Sequence, residues 1–365
     1  LPQTDLEGAI SLAERIRAGV ESTPCDTGEG SPLAVTLSIG VAELAPGPDG
    51  LTHGLAAAET ACKAAKDRGR NRAEAYLAAD ESVVRRFTDI TLAATLRAAV
   101  AEDRLRLDAQ FIQPLGGVPD QPPHFELLLR MIDDDGETVG PDRFLSAANR
   151  YQLMPTIDRW VIDHALAQLG AHAEAIAATR VVFAINFSGQ SLNDGEFADE
   201  LVARIEASGL PPQSLCFELT ESATIANLAR AEVLMRRLRK LGCGVALDDF
   251  GTGLSSLAYL RQLPVSMLKI DGSFVRDILR DSRSESLVQA VAQLARSMQM
   301  VTVAEYVETD SIRERIAALG VDYGQGFSIG RPVPLTGVLA DLPAALGQAP
   351  PPPRQAVIDP APGLH

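Results

Sequence analysis

From about residue 105 onward, eight short apolar runs succeed one another, most of them separated by amphipathic helical stretches. The runs are LRLDAQFI (105–112), HFELLLRMI (124–132), RVVFAINFS (180–188), SLCFELTES (214–222), GVALDDFG (244–251), SMLKIDGSF (266–274), MVTVAEYVE (300–308) and DYGQGFSIG (322–330). Stretches such as ANLARAEVLMRRLRKLG (226–242) and SESLVQAVAQLARSM (284–298) carry apolar residues at helical spacing. Eight strands alternating with helices over about 240 residues predict an α/β fold, specifically a (β/α)8 TIM-like barrel. A doubly wound open sheet is the competing architecture, but no glycine fingerprint of a dinucleotide fold is present. With 46% of residues apolar, the chain can fill a core of that size.

Barrel active sites lie at the C-terminal ends of the strands, so a barrel strand should be apolar until its end and polar there. Read this way, the chain offers Glu126 with Arg130, Asn186, Glu218, Asp248 with Asp249, Lys269 with Asp271, Glu305 with Glu308, and Gln325. Each residue alone has an ordinary explanation. Asn186 could cap a helix, Glu218 and Lys269 could be a buried pair, and Asp248–Asp249 could open a turn. Jointly the explanations fail, because burying acids on adjacent strands is expensive unless something offsets their charge. One lysine and one arginine cannot neutralise Glu126, Glu218, Asp248, Asp249 and Glu305. Divalent cations can. Oxygen ligands with no His or Cys among them suit Mg²⁺ or Mn²⁺ rather than zinc. Two adjacent aspartates can serve two ions about 3.5–4 Å apart, an arrangement that activates a water and clamps a phosphoryl group.

The formal net charge of −15 argues against binding DNA, RNA or an anionic membrane surface, which needs clustered Lys and Arg. Cys25, Cys62, Cys216 and Cys243 are scattered, with no CxxC pair, which fits free thiols in a reducing cytoplasm. No apolar run approaches the roughly 20 residues of a membrane span, and no signal peptide is evident. The first residue is Leu1 rather than Met, so the expectation is a cytoplasmic fragment whose parent could carry an upstream sensor or anchor.

Ahead of the barrel, residues 5–21 read as a helix, AVTLSIGVAEL (34–44) as a strand, and GLAAAETACKAAKDRGRNRAEAY (54–76) as an Ala-rich helix ending near Gly69. The expected organisation is a partial α+β domain over 1–80, a linker helix over 81–104, the barrel over 105–346 and a disordered Pro-rich tail over 347–365.

The segments FELLLRM, INFSGQSL, FELTES, LDDFGTGLSSLAYLRQLPVSMLKIDGSFV, AEYVE and GQGFSIGRP, in this order from about Asp108 to Pro334, resemble the EAL-domain family of cyclic-di-GMP phosphodiesterases. The resemblance implies hydrolysis of cyclic di-GMP to linear pGpG with two Mg²⁺ or Mn²⁺ ions, Ca²⁺ being inhibitory, in a homodimer formed through this domain. It implies a first metal at Glu126, Asn186, Glu218 and Asp248, and a second at Asp248, Asp249 and Glu305. Lys269, Asp249 and Glu305 would be catalytic, Lys269 by orienting the attacking water. Gln110, Arg130, Asp271 and Gln325 would serve the substrate, and Glu221 and Glu308 would anchor the loop after Asp249. The chain departs from the family in having Leu127 in the signature tripeptide, Tyr306 where glycine is common, and Phe111 where a proline follows Gln110. A degenerate member that binds cyclic di-GMP without cleaving it would have lost metal ligands, and none is lost here. Residues 1–80 resemble the C-terminal half of a GGDEF diguanylate cyclase domain through LSIGVAEL and AAKDRGRNRAEAY, without the signature that names it.

Overall fold

The structure is a computed structural model that describes residues 4–23, 35–44, 50–67, 70–76, 92–116, 121–133, 136–251 and 259–347. The expected tail from 348 onward and residues 81–91 of the expected linker lie outside these residues. Chain contacts divide the molecule into two units, residues 1–98 with 144–151 and residues 99–143 with 152–365.

The first unit holds α1 (Leu6–Ser22), β1 (Ile39–Val41), α2 (Gly50–Asp67) and β2 (Ala73–Ala75). Asp5 caps α1 by accepting from the Gly8 amide. β1 and β2 pair in parallel, Ile39 opposite Ala73. Sequence periodicity misses β2 and places too long a strand around β1. An alanine-rich segment has no strand preference of its own, and β2 is instead held by its partner and by Glu14, which accepts from the Ala73 amide at 2.6 Å.

Helix α3, described over 92–101, leads to the second unit. There follow β3 (Leu105–Pro114), β4 (His124–Ile132), β5 (Thr138–Val139), α4 (Leu145–Arg150, counted with the first unit), α5 (Met154–Gly170), α6 (Ala173–Thr179), β6 (Val182–Asn186) and α7 (Phe197–Ala207). Then come β7 (Leu215–Thr220), α8 (Glu221–Ala226), α9 (Leu228–Leu241), β8 (Gly244–Phe250), β9 (Met267–Ile270), α10 (Gly272–Arg276) and α11 (Ser282–Ser297). The unit ends with β10 (Val301–Ala304), α12 (Asp310–Ala318), β11 (Tyr323–Gln325), β12 (Val333–Pro334), α13 (Leu335–Ala340) and α14 (Leu342–Gly347). The strands run β3–β11–β10–β9–β8–β7–β6–β4, and β4 pairs with β3 to close an eight-stranded barrel, with β12 and β5 added to β3 and β4. The α/β barrel expected from the sequence is thus present, with one difference in direction. β3 runs antiparallel to both β4 and β11. A parallel return needs a crossover of about a dozen residues or more, usually a helix. The β3–β4 connection, LGGVPDQPP, is shorter and rich in Gly and Pro.

Local chemistry sets the strand ends. Asp271 and Thr220 cap α10 and α8, so β9 and β7 stop earlier than their apolar patterns suggest. Gly242, at φ +104°, closes α9 in the left-handed conformation that glycine adopts without strain. Inside the barrel, Ile112, Val182, Ala184, Cys216, Ala246, Met267, Val303 and Tyr323 form an apolar plug. His124 joins it edge-on to Tyr323, ring centroids 4.8 Å apart, and burial pushes its imidazole down to about 4, so the ring is neutral.

Candidate active site

Side chains alternate across a strand, so the residue two places beyond each plug residue also faces inward. Along the parallel strands this step leads from His124 to Glu126, Ala184 to Asn186, Cys216 to Glu218, Ala246 to Asp248, Met267 to Lys269, Val303 to Glu305 and Tyr323 to Gln325. On the reversed β3 it runs backward, from Ile112 to Gln110. An apolar floor is therefore overlaid by one polar layer at the C-terminal ends of the strands.

Lys269 is the hub of that layer. Its buried ammonium lies 2.8 Å from Glu218, 2.9 Å from Glu305 and 3.3 Å from both Glu126 and Asp248. Burial alone would lower its pKa, but Asp248, Glu126, Glu218 and Glu305 hold it well above the usual lysine range. The acids carry the opposite strain. Burial drives Glu218 far above the carboxylate range; Lys269 opposes the shift, while Glu126 and Asp248 add to it. Burial likewise pushes Glu305 up to about 8, against Lys269 and with help from Asp248 and Glu126. Asp249 is raised by burial and then by Asp248 and Asp271.

Two adjacent side chains in a regular strand face opposite ways, yet Asp248 and Asp249 share the mouth. The β8–β9 register shifts between Leu247 and Phe250, a bulge at this pair, and Asp249 takes φ +55°. The Asp249 amide donates to the Asp248 carboxylate at 3.0 Å. As a result Asp248, Asp249 and Glu305 offer carboxylate oxygens within 4.8 Å of one another. Glu218 Oε1 is buried with no hydrogen-bond partner. An orphaned buried carboxylate oxygen and an all-oxygen donor set around one ammonium fit divalent cations.

Around this centre, Asn186 Nδ2 donates to Glu126 Oε1 at 2.6 Å, and Gln325 Nε2 donates to Glu126 Oε2 at 2.6 Å and to Gln110 Oε1 at 3.1 Å. Gln110 in turn donates to the Gly330 carbonyl at 2.9 Å. Arg130 pairs with Asp108 at 3.1 Å. Asp271 caps α10 through the Ser273 amide and hydroxyl. Glu221 is buried and accepts from the Gly251 amide at 3.0 Å and from the Tyr259 hydroxyl. It thereby ties both described ends of the loop after Asp249. The residues between those ends, 252–258, lie outside the described residues, and Thr220 caps α8. Glu308 is exposed, just before the Thr309 cap of α12, and is not brought to the acidic layer.

The departures from the resembling family also find places. Leu127 is buried, and alternation turns it to the opposite face of β4 from Glu126. Phe111 faces away from Gln110 and packs on Phe125, ring centroids 5.2 Å apart. Tyr306 sits at φ +53°, a conformation that favours glycine, and its half-exposed ring lies under the Arg276 guanidinium, 3.9 Å from the centroid. Gly272 makes room for that ring, since a Cβ there would fall 2.0 Å from Tyr306 Cδ2.

Sequence reasoning missed Asp158, a buried acid on α5 that accepts from the Ser188 amide and hydroxyl and from the Ser191 hydroxyl at 2.6–2.8 Å. It fixes the turn that follows Asn186. The signal was a lone aspartate between the apolar residues Ile157 and Trp160 of a helix. Asp108 and Tyr259 were missed as well.

Comparison with known proteins matches residues 93–332 to the EAL domain. The cyclic di-GMP phosphodiesterase PdeB of Shewanella oneidensis is 35% identical over 291 residues, covering 80% of this chain and 34% of that protein. The bifunctional diguanylate cyclase/cyclic di-GMP phosphodiesterase MucR of Pseudomonas aeruginosa is 33% identical over 318 residues, covering 85% of this chain and 44% of that protein. The solved structure of the PaMucR phosphodiesterase in complex with c-di-GMP superimposes with a TM-score of 0.63 at 32% identity, covering 68% of this chain and 99% of that one. The chain spans less than half the length of these two curated relatives. Among the described residues, no helix is long and apolar enough to cross a membrane. The barrel, its acidic mouth and the match over residues 93–332 together establish that the chain belongs to the EAL domain family.

Proposed function

We propose that this chain hydrolyses one phosphodiester bond of cyclic di-GMP to give linear pGpG. The observation that carries this reading is the layer of five carboxylates, Glu126, Glu218, Asp248, Asp249 and Glu305, around Lys269 at the barrel mouth. The names of the relatives and the bound ligand of PaMucR support the choice of substrate. Glu126, Asn186, Glu218 and Asp248 would hold one Mg²⁺ or Mn²⁺, Asn186 through its amide oxygen, and Asp248, Asp249 and Glu305 a second. Bound there, the ions would neutralise the acids, lower the pKa of a water and stabilise charge on the phosphoryl group.

The chain's own residues do the rest. Arg130, held by Asp108, presents a guanidinium to a substrate phosphate. Lys269 donates to the attacking water or to the developing charge on phosphorus. Asp249 or Glu305 takes the water's proton. The oxygen of water joins phosphorus, the bond from phosphorus to the 3′ oxygen breaks, and that oxygen takes a proton from solvent water and leaves as a hydroxyl. Gln110 and Gln325 keep Glu126 oriented through their shared hydrogen bonds. Asp271 caps α10 at the rim beside the substrate.

Incubation with cyclic di-GMP and Mg²⁺, read as pGpG by chromatography, tests the proposal. EDTA should abolish product, Mg²⁺ or Mn²⁺ should restore it, and Ca²⁺ should inhibit, since it prefers looser, larger coordination. Full turnover in EDTA would sink the two-metal reading.

Glu221 is proposed to hold the loop after Asp249 in place and so to link the site to a homodimer interface, with Glu308 assisting from the loop after β10. Glu221→Ala should lower kcat by roughly tenfold or more, the scale on which outer-shell partners of metal ligands act. The thermal midpoint should move far less, and sedimentation should show a weaker dimer. A lowered midpoint with unchanged turnover would leave Glu221 a purely structural residue.

Residues 105–346 are proposed as the catalytic domain, 81–104 as a linker helix, and 1–80 as a partial GGDEF-like regulatory segment. The match to the bifunctional MucR supports the last assignment, because 85% of this chain is more than residues 93–365 could supply.

A further inference from the structure

The inward-facing register that builds the acidic layer continues past it on the first two barrel strands. Two further steps along β4 lead from Glu126 through Leu128 to Arg130, and two along the reversed β3 lead from Gln110 through Asp108 to Arg106. At about 3.3 Å per residue, this places both arginine backbones roughly 13 Å beyond the Gln110–Glu126 pair, toward solvent. Arg106 and Arg130 are direct cross-strand partners. Like charges in that position repel. The nearly buried Asp108 lies between them, 3.1 Å from the Nε of each. One carboxylate shared by two guanidinium groups leaves one positive charge uncompensated within the trio. The Arg106 side chain is also the more accessible of the two, 38% exposed against 13% for Arg130.

The inward polar groups below this pair are mostly acids. A cationic pair at the rim above an anionic floor sorts a ligand by the position of its charges. The floor takes an anion only together with cations, whereas the rim takes one directly.

We propose that Arg106, oriented by Asp108, forms with Arg130 an anion subsite that holds the second phosphate of the cyclic dinucleotide, the one not cleaved. This rests on the phosphodiesterase reading and adds to it a specificity-determining residue. The consequence is selectivity for a substrate with two linked phosphates over a simple phosphodiester.

The test compares wild type with Arg106→Ala on two substrates in Mn²⁺, cyclic di-GMP and bis(p-nitrophenyl) phosphate, which has only one phosphate. Binding of cyclic di-GMP in Ca²⁺ is followed in parallel by calorimetry. Arg106→Ala should raise KM and the calorimetric Kd for cyclic di-GMP about tenfold, the size of one partly exposed charge-assisted hydrogen bond, with kcat little changed. The two proteins should have equal kcat/KM on bis(p-nitrophenyl) phosphate and equal thermal midpoints. An unchanged KM and Kd for cyclic di-GMP, or an equal loss on both substrates, would overturn the subsite. If wild type binds cyclic di-GMP but does not cleave it, the proposed function fails, and the calorimetric comparison still decides Arg106. If wild type neither binds nor cleaves it, both fail.

Discussion

Asp248→Ala should lower kcat for cyclic di-GMP by at least about 1,000-fold, equivalent to about 4 kcal/mol of barrier. Asp248 is the acid proposed to hold both metals. Its carboxylate is 3.3 Å from Lys269, accepts from the Asp249 amide, and lies in the group formed with Asp249 and Glu305. Removing it should therefore weaken both metals and unlatch the bulge that turns Asp249 inward. Glu126→Ala should act on the same scale, since Asn186 and Gln325 both converge on that carboxylate. Arg130→Ala should differ in kind, raising KM more than it lowers kcat. Steady-state kinetics at saturating Mn²⁺, with Mn²⁺ binding measured separately, make the distinction. Near-wild-type turnover in Asp248→Ala would refute the shared role.

Lys269→Met should be both inactive and, without metal, strongly destabilised. Four carboxylates within 3.3 Å lose their buried counter-charge in this variant. Breaking a buried ionic set by removing one partner costs about 3–5 kcal/mol, or roughly 10 °C in thermal midpoint for a domain of this size. The direction of the pH effect follows from the acids. Burial already pushes Glu305 up to about 8, and a carboxyl raised above its unfolded value stabilises the fold below the unfolded value and loses that contribution as pH rises toward the folded one. Metal-free Lys269→Met should thus be relatively more stable near pH 5 than near pH 8. Divalent ions should restore its midpoint by more than they raise that of wild type, because they replace the missing charge. Thermal melts in EDTA and in Mn²⁺ at both pH values test this; a midpoint equal to wild type in EDTA would show that Lys269 is not what holds the acids together.

Much of the barrel is legible along the chain because its strands are apolar runs that end in polar residues. The alternation from Ala184 to Asn186, Cys216 to Glu218 and Met267 to Lys269 is a property of adjacent positions, so composition and spacing suffice to propose it. The helices between strands are similarly local, as the caps at Thr220, Asp281 and Thr309 illustrate. The reversal of β3 was less accessible, since the decisive feature was the absence of a helix between two otherwise ordinary strands.

The sequence by itself determined which residue types stand at the strand ends, and hence that the mouth would be rich in carboxylates and poor in counter-charge. Tertiary structure decided who meets whom. Lys269 touches Glu126, Glu218, Asp248 and Glu305 because four different strands deliver them to one level of the barrel, and period-two alternation specifies a face without specifying a neighbour. Asp248 and Asp249 would point apart in a straight strand; only the bulge and the left-handed turn at Asp249 set both toward the mouth. Asp108 between Arg106 and Arg130, Glu221 between Gly251 and Tyr259, and Asp158 beneath Ser188 are contacts of the same kind. Each joins residues brought together by strand register or helix packing, through short-range forces that vanish within a few ångströms and leave no periodic trace in the chain.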